Sequence, residues 1–159
     1  MRTRGVSARV GAAWLAGWLL LAAAPAAADM TPTPPPSQMP PVPSAESEYA
    51  RGVAATRAKD WSVAAVAFGR AVEMKPAYPE AWNGLGHALR NQGKYPEALR
   101  AYDEALRLRP DYPDALEYLG EAYVKLGRVD DARRVLDRLR PLDPGRASEL
   151  AEVIKTSTR

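Results

Sequence analysis

From residue 45 to residue 146 the chain repeats itself every 34 residues, without insertion, and this period limits its fold more than any other feature. Trp82 is followed by Leu85-Gly86, Leu89, Gly93, Tyr95, Ala98, Tyr102, Ala105 and Pro110. One period on, the same residue classes return at Leu116, Leu119-Gly120, Tyr123, Gly127, Val129, Ala132, Leu136, Leu139 and Pro144. One period back, Gly52, Ala55, Trp61, Ala64, Phe68, Ala71 and Pro76 fall into register. A supersecondary unit this small cannot bury its own apolar face, so such units stack, and the stacked neighbours share one core.

Each unit reads as two helices. Pro79 and Pro113 suit the first turn of a helix, where the missing amide costs nothing, and Glu80 and Asp114 beside them favour its positive end. Gly93 and Gly127 stand where a turn needs positive φ. Pro96 opens a second helix, Asp60 and Asp130 read as N-caps of the others, and Pro76, Pro110 and Pro144 end each pair. Between these marks apolar residues recur at i, i+3, i+4 and i+7, as in Ala98, Ala101, Tyr102 and Ala105. The expected architecture is all-α: an α-solenoid of three helix-turn-helix units with antiparallel helices of about 13 residues. A glycine inside a helix costs about 1 kcal/mol against alanine, so Gly52, Gly86 and Gly120 require a packing reason. Ala64, Ala98 and Ala132 each follow twelve residues later. The expectation is a glycine facing an alanine across each hairpin, letting the two backbones approach.

These residues resemble the tetratricopeptide repeat pattern, with units at 45–78, 79–112 and 113–146. The first unit departs from it, carrying Glu48 and Arg51 where the family places tryptophan and leucine, as a terminal unit with no neighbour on one side can. Residues 147–159 read as a capping helix with Leu150, Val153 and Ile154 laid over Leu136 and Leu139. The resemblance implies that the first helix of each unit lines a groove that binds a peptide or loop of another protein. Carried onto this sequence, the lining would be Tyr49, Val53 and Arg57, then Asn83, His87, Arg90 and Asn91, then Glu117, Glu121, Val124 and Lys125. That set is polar, of mixed charge, with one aromatic. The carboxylate clamp of chaperone-binding members is absent as a set: Gly84 stands where its asparagine would be, and Tyr118 takes the equivalent place one unit later.

Residues 1–28 carry Arg2, Arg4, Arg9 and no acid, then 19 uncharged residues from Val10 to Ala28 ending in Ala26-Ala27-Ala28. That is the order of a signal peptide with cleavage after Ala28. The alternative is an uncleaved anchor, since about 20 apolar residues cross a bilayer. Residues 29–44 form a tether holding seven prolines between positions 31 and 44, either a semi-rigid spacer or a ligand for a proline-reading groove. Removing three arginines from 22 basic residues leaves 19 against 19 acidic ones. A neutral mature chain lacks the clustered charge that phosphate backbones require, so nucleic acid is not an expected partner. Arg133, Arg134 and Arg138 are offset by Asp130, Asp131 and Asp137 and read as a solvated face.

With no cysteine and one histidine, His87, neither a metal site nor a cofactor is expected. No nucleophile motif points to catalysis. The sequence therefore reads as a periplasmic or secreted, non-enzymatic adaptor or scaffold of the bacterial envelope. A self-associating structural subunit, or an adaptor held at the membrane by an uncleaved N-terminus, is the alternative.

Overall fold

The computed structural model describes residues 42–158. The signal segment and all but the last three residues of the tether lie outside the described residues. Among the described residues seven helices follow one another: α1 (Ala45–Arg57), α2 (Trp61–Met74), α3 (Pro79–Asn91), α4 (Tyr95–Leu108), α5 (Pro113–Lys125), α6 (Val129–Leu139) and α7 (Pro144–Ser157). They pair as hairpins α1–α2, α3–α4 and α5–α6, each hairpin leaning on the next, with α7 across α5 and α6.

The three hairpin turns are built alike. Gly93 and Gly127 take φ of 75° and 71°, and Lys59 holds the same place in the first hairpin at 58°. The next amide reaches back five residues in each, Asp60 to Ala55, Lys94 to Leu89 and Arg128 to Tyr123, at 2.9, 3.0 and 2.9 Å. This double closure satisfies the last carbonyls of the first helix and aims the second helix back along it. A left-handed lysine is costlier than glycine, so the first hairpin closes against some backbone strain.

The caps follow the sequence in part. Ser44 and Ser47 form a reciprocal box at the start of α1, and the Asp60 carboxylate accepts from Val63 N at 3.0 Å. Asp130, expected as a cap, lies inside the first turn of α6; the cap position belongs to Arg128, without a side-chain bond. Asp130 pairs instead with Arg133 at 3.0 Å. Pro144 does not end α6, which stops at Leu139. It opens α7, capped by Asp143 on Arg146 N at 3.0 Å, so the final helix begins three residues before the expected 147.

The atoms nearest to these glycines belong to side chains larger than alanine. A Cβ on Gly52 would lie 2.7 Å from the Phe68 ring, one on Gly86 2.6 Å from the Tyr102 ring, and one on Gly120 2.5 Å from Leu150 of α7. Close approach is real, but its purpose is to admit a large side chain. Ala64, Ala98 and Ala132, each 0% exposed, sit beside that contact as small core residues. The core runs unbroken from α4 through α7, around the fully buried Tyr102, Leu116, Leu139 and Leu150. The first hairpin adds two smaller clusters, joined to α3 through Tyr49, Trp82 and Leu85. Glu48 is not an exposed terminal substitution: it is 7% exposed and clasped by Arg51 and Arg70 at 3.2 and 3.8 Å.

Two glycines separate packing from propensity. Gly86→Ala pushes a methyl into the immobile Tyr102 ring and is expected to cost about 1–3 kcal/mol. Gly69→Ala, in α2 with open space above it, is expected to gain about 0.5–1 kcal/mol. Urea unfolding of both variants checks the opposite signs.

Candidate functional site

Residues at the inner positions of α1, α3 and α5 line two recesses. A first recess of about 320 Å³ takes Tyr49, Val53 and Arg57 from α1 and Asn83 and His87 from α3. A second, of about 420 Å³, takes Arg90 and Asn91 from α3, Glu121 and Lys125 from α5, and Val153 from α7. Glu117 and Val124 belong to neither. Glu117 is 8% exposed and ion-paired to Arg146, which also holds Asp114 at 2.8 Å. Val124 packs against the core. Those two expected groove contacts are structural.

His87 and Tyr118 line the first recess, and Arg90 and Glu121 the second. The His87 ring stacks on Tyr118 with centroids 4.9 Å apart and planes 13° apart, and meets the edge of Trp61 at 5.4 Å. The Arg90 guanidinium lies 4.9 Å over the other part of this stack, at the Tyr118 ring, and is ion-paired with Glu121. His87, Arg90 and Glu121, all in the expected lining, tie α3 to α5. Side chains that hold two helices together are poorly placed to wrap a ligand without a loss of stability.

The first recess is far more aromatic than the expected lining. Phe68 of α2, Tyr112 at the cap of α5 and Tyr118 join Tyr49 and His87. Burial pushes the Tyr112 hydroxyl up to about 12, with Asp114 and Glu80 adding to the shift, and burial also raises Tyr49 and Tyr118. All three phenols therefore stay neutral and keep a proton to donate. Phe68 also explains the missing clamp asparagine, because a Cβ on Gly84 would meet that ring at 2.7 Å. Tyr112 had one sequence signal: Tyr78 precedes it by one period and also stands immediately before a first helix.

Two polar groups of the first recess are uncommitted. Asn83, 9% exposed, donates from Nδ2 to Tyr112 Oη over a long 3.4 Å, and its Oδ1 has no donor. Arg57 has no carboxylate partner among the described residues, whereas Glu80 is paired to Arg109. In the second recess Lys125 has no carboxylate partner among the described residues, and Glu121 is taken by Arg90. A neutral aromatic floor, an open amide and one free cation can hold an extended chain and one of its apolar side chains.

Burial holds the His87 imidazole below its ordinary 6.5, and the Arg90 charge adds to this. Folding thus disfavours protonation, so the unfolded chain is the stronger proton binder. This contribution to stability is complete above about pH 6.5 and is lost as pH falls through the lower folded value. Urea unfolding between about pH 7.5 and 5.5 is expected to show falling stability in the wild type and a flatter profile in His87→Gln.

The profile of the tetratricopeptide repeat family matches residues 49–98 and 83–147. No curated protein sequence matches the chain. Among solved structures, the yeast Sti1 TPR2B domain in its pHsp70 complex superposes with a TM-score of 0.68 at 20% identity, over 72% of this chain and 95% of that one. The first TPR domain of Spaghetti (RPAP3), bound to the HSP90 peptide SRMEEVD, gives 0.67 at 19%, over 72% and 94%. The second TPR domain of human RPAP3, in complex with the HSP70 peptide SGPTIEEVD, gives 0.66 at 25%, over 70% and 94%. With the family profile covering residues 49 to 147 of 159, and three hairpins of the same build beneath it, the chain belongs to the tetratricopeptide repeat family.

Proposed function

We propose that this chain is a non-catalytic adaptor that holds a peptide or loop of a partner protein against α1, α3 and α5. The first recess supports this reading: its aromatic floor lies beside the Asn83 amide oxygen and the Arg57 guanidinium, which have no partner among the described residues. Buried polar groups are nearly always satisfied, so an open Asn83 oxygen favours a ligand that brings an N–H. The similar yeast and human domains are seen with Hsp70 and HSP90 peptides. Here the residues that would grip a terminal carboxylate differ at Gly84 and Tyr118, so the partner's chemistry differs too.

A first helix of 13 residues is roughly 20 Å long and faces about six residues of extended chain. Contacts of that size lie below the usual range of stable interfaces, which favours micromolar, exchangeable binding. The N-terminal order of charged, apolar and small residues supports export, with residues 29–44 as a spacer between the repeats and whatever lies beyond them.

Arg57, Asn91 and Lys125 are exposed and brace no other helix, so replacing all three by alanine is expected to leave helical content and melting intact while abolishing partner capture. Full capture by that variant overturns the groove reading. Export has its own check: mass spectrometry of the native protein is expected to find Asp29 at the N-terminus. Met1–Ala28 peptides in the mature membrane fraction would establish the anchored alternative instead.

A further inference from the structure

The uncommitted polar groups of the first recess are mostly donors. Among the described residues the hydroxyls of Tyr49 and Tyr118 have no hydrogen-bond partner, and Tyr112 Oη accepts from Asn83 while its own proton stays free. Burial keeps all three phenols protonated. Arg57 adds a guanidinium, which carries five N–H donors and no acceptor. On the acceptor side, the Thr56 hydroxyl is spent on Gly52 O at 2.9 Å, Glu80 is held by Arg109, and the Asn83 oxygen is left without a donor. An ordinary extended peptide offers as many N–H groups as carbonyls and complements such a lining poorly. Proline removes the N–H and keeps the carbonyl. A segment with prolines therefore has the surplus of acceptors that these donors need.

A carboxylate-rich peptide would also bring acceptors, but the recess is unfavourable to more negative charge. Glu80 lines it, and the charges of Glu80, Asp114 and Glu117 add to the rise of the surrounding phenols. The dimensions suit a proline segment as well. Along α1 the lining runs from Tyr49 to Arg57, about 12 Å at 1.5 Å per residue. A polyproline II helix has three residues per turn and a rise of about 3.1 Å, so prolines at i and i+3 share a face about 9 Å apart. One such turn fits the recess. Rigidity matters in so small a contact, because ordering a flexible peptide would consume much of the affinity. Polyproline II is largely formed before it binds.

We propose that the first recess reads a proline segment of a partner protein, with prolines at i and i+3 in the polyproline II conformation. This inference rests on the groove reading above and names its ligand. The two pyrrolidine rings lie against the aromatic lining around Tyr49, Phe68 and Tyr118. The three phenols and Arg57 donate to carbonyls of the segment. The Asn83 oxygen takes the N–H of a residue between the prolines, so at least one of those two residues is not itself proline. An unbroken proline run would leave that oxygen unpaired, and it is the poorer ligand.

The probe is a neutral synthetic peptide of about ten residues containing one Pro-x-x-Pro turn, with two controls in which both prolines become alanine or both become glutamate. Fluorescence anisotropy with the full chain is expected to show the proline peptide binding at least about fivefold more tightly than either control, with amide shifts on α1, α3 and α5 around the first recess. Tyr49→Phe and Tyr118→Phe keep the rings and lose only the hydroxyls. Each is expected to weaken binding about 2–10-fold with the melting temperature unchanged. Arg100→Ala, exposed on α4, is expected to bind as the wild type does. Equal affinity for the alanine peptide, tighter binding of the glutamate peptide, no effect of either Tyr→Phe change, or no binding at millimolar peptide each overturns the proposal. Binding seen only after Pro32, Pro35, Pro40 and Pro43 are replaced by alanine overturns a partner as the occupant. If the peptide fails while the Arg57, Asn91 and Lys125 variant still loses its partner, the groove reading stands and its proline ligand falls. Full capture by that variant, with peptide shifts away from α1, α3 and α5, removes both.

Discussion

The array depends on three places where a helix lacks a side chain so that a neighbour can insert one. Phe68 enters over Gly52, Tyr102 over Gly86, and Leu150 over Gly120. A ring buried this way removes a large apolar area from water, and at about 25 cal/mol per Å² it outweighs the roughly 1 kcal/mol of helix propensity the glycine gives up. The third contact shows what α7 is. Leu150 lies one period after Leu116 and two after Trp82, so α7 continues the register of a first helix. In the next glycine position stands Ile154, 6% exposed. A β-branched side chain there leaves no gap for a ring from a further second helix, and the stack of close approaches ends at that residue.

Charge is arranged on a second, shorter spacing. Glu46 meets Lys75, Glu80 meets Arg109, Asn83 meets Tyr112 and Glu117 meets Arg146, each pair separated by 29 residues. Each ties the first half of a first helix to the segment that follows its hairpin. The partly exposed pairs contribute little individually, about 0–1 kcal/mol. Their larger consequence is selection. They occupy the acidic side chains along this face and leave Arg57 and Lys125 as cations without carboxylates.

This explains which parts were legible in the sequence. Helix number, turn positions and period were readable because they depend on backbone punctuation: Pro79 and Pro113 at helix starts, Gly93 and Gly127 in left-handed turns. Even the turn at Lys59 fell in register, although lysine gives no turn signal. The site was less legible because its lining crosses elements. Phe68 reaches the first recess from the second helix of its own hairpin, and Tyr112 from a cap. Glu117 sits at the same repeat position as Asn83, yet Arg146 of α7 removes it from the surface. The twelve-residue Gly–Ala spacing gave no sign of the large side chains nearest the glycines, since only side-chain positions place Phe68, Tyr102 and Leu150 there.

The hairpins also share the core unequally. From α4 to α7 one continuous core forms, whereas the first hairpin is held by two small clusters, closes through a left-handed lysine and buries the carboxylate of Glu48. In a linear array each unit's stability is its own plus that of its interfaces, so the end with the thinner core opens first. The α1 wall of the first recess belongs to that hairpin. A ligand bridging α1 and α3 would therefore add to the interface between that hairpin and the next, and its binding energy would appear partly as stability of the first hairpin.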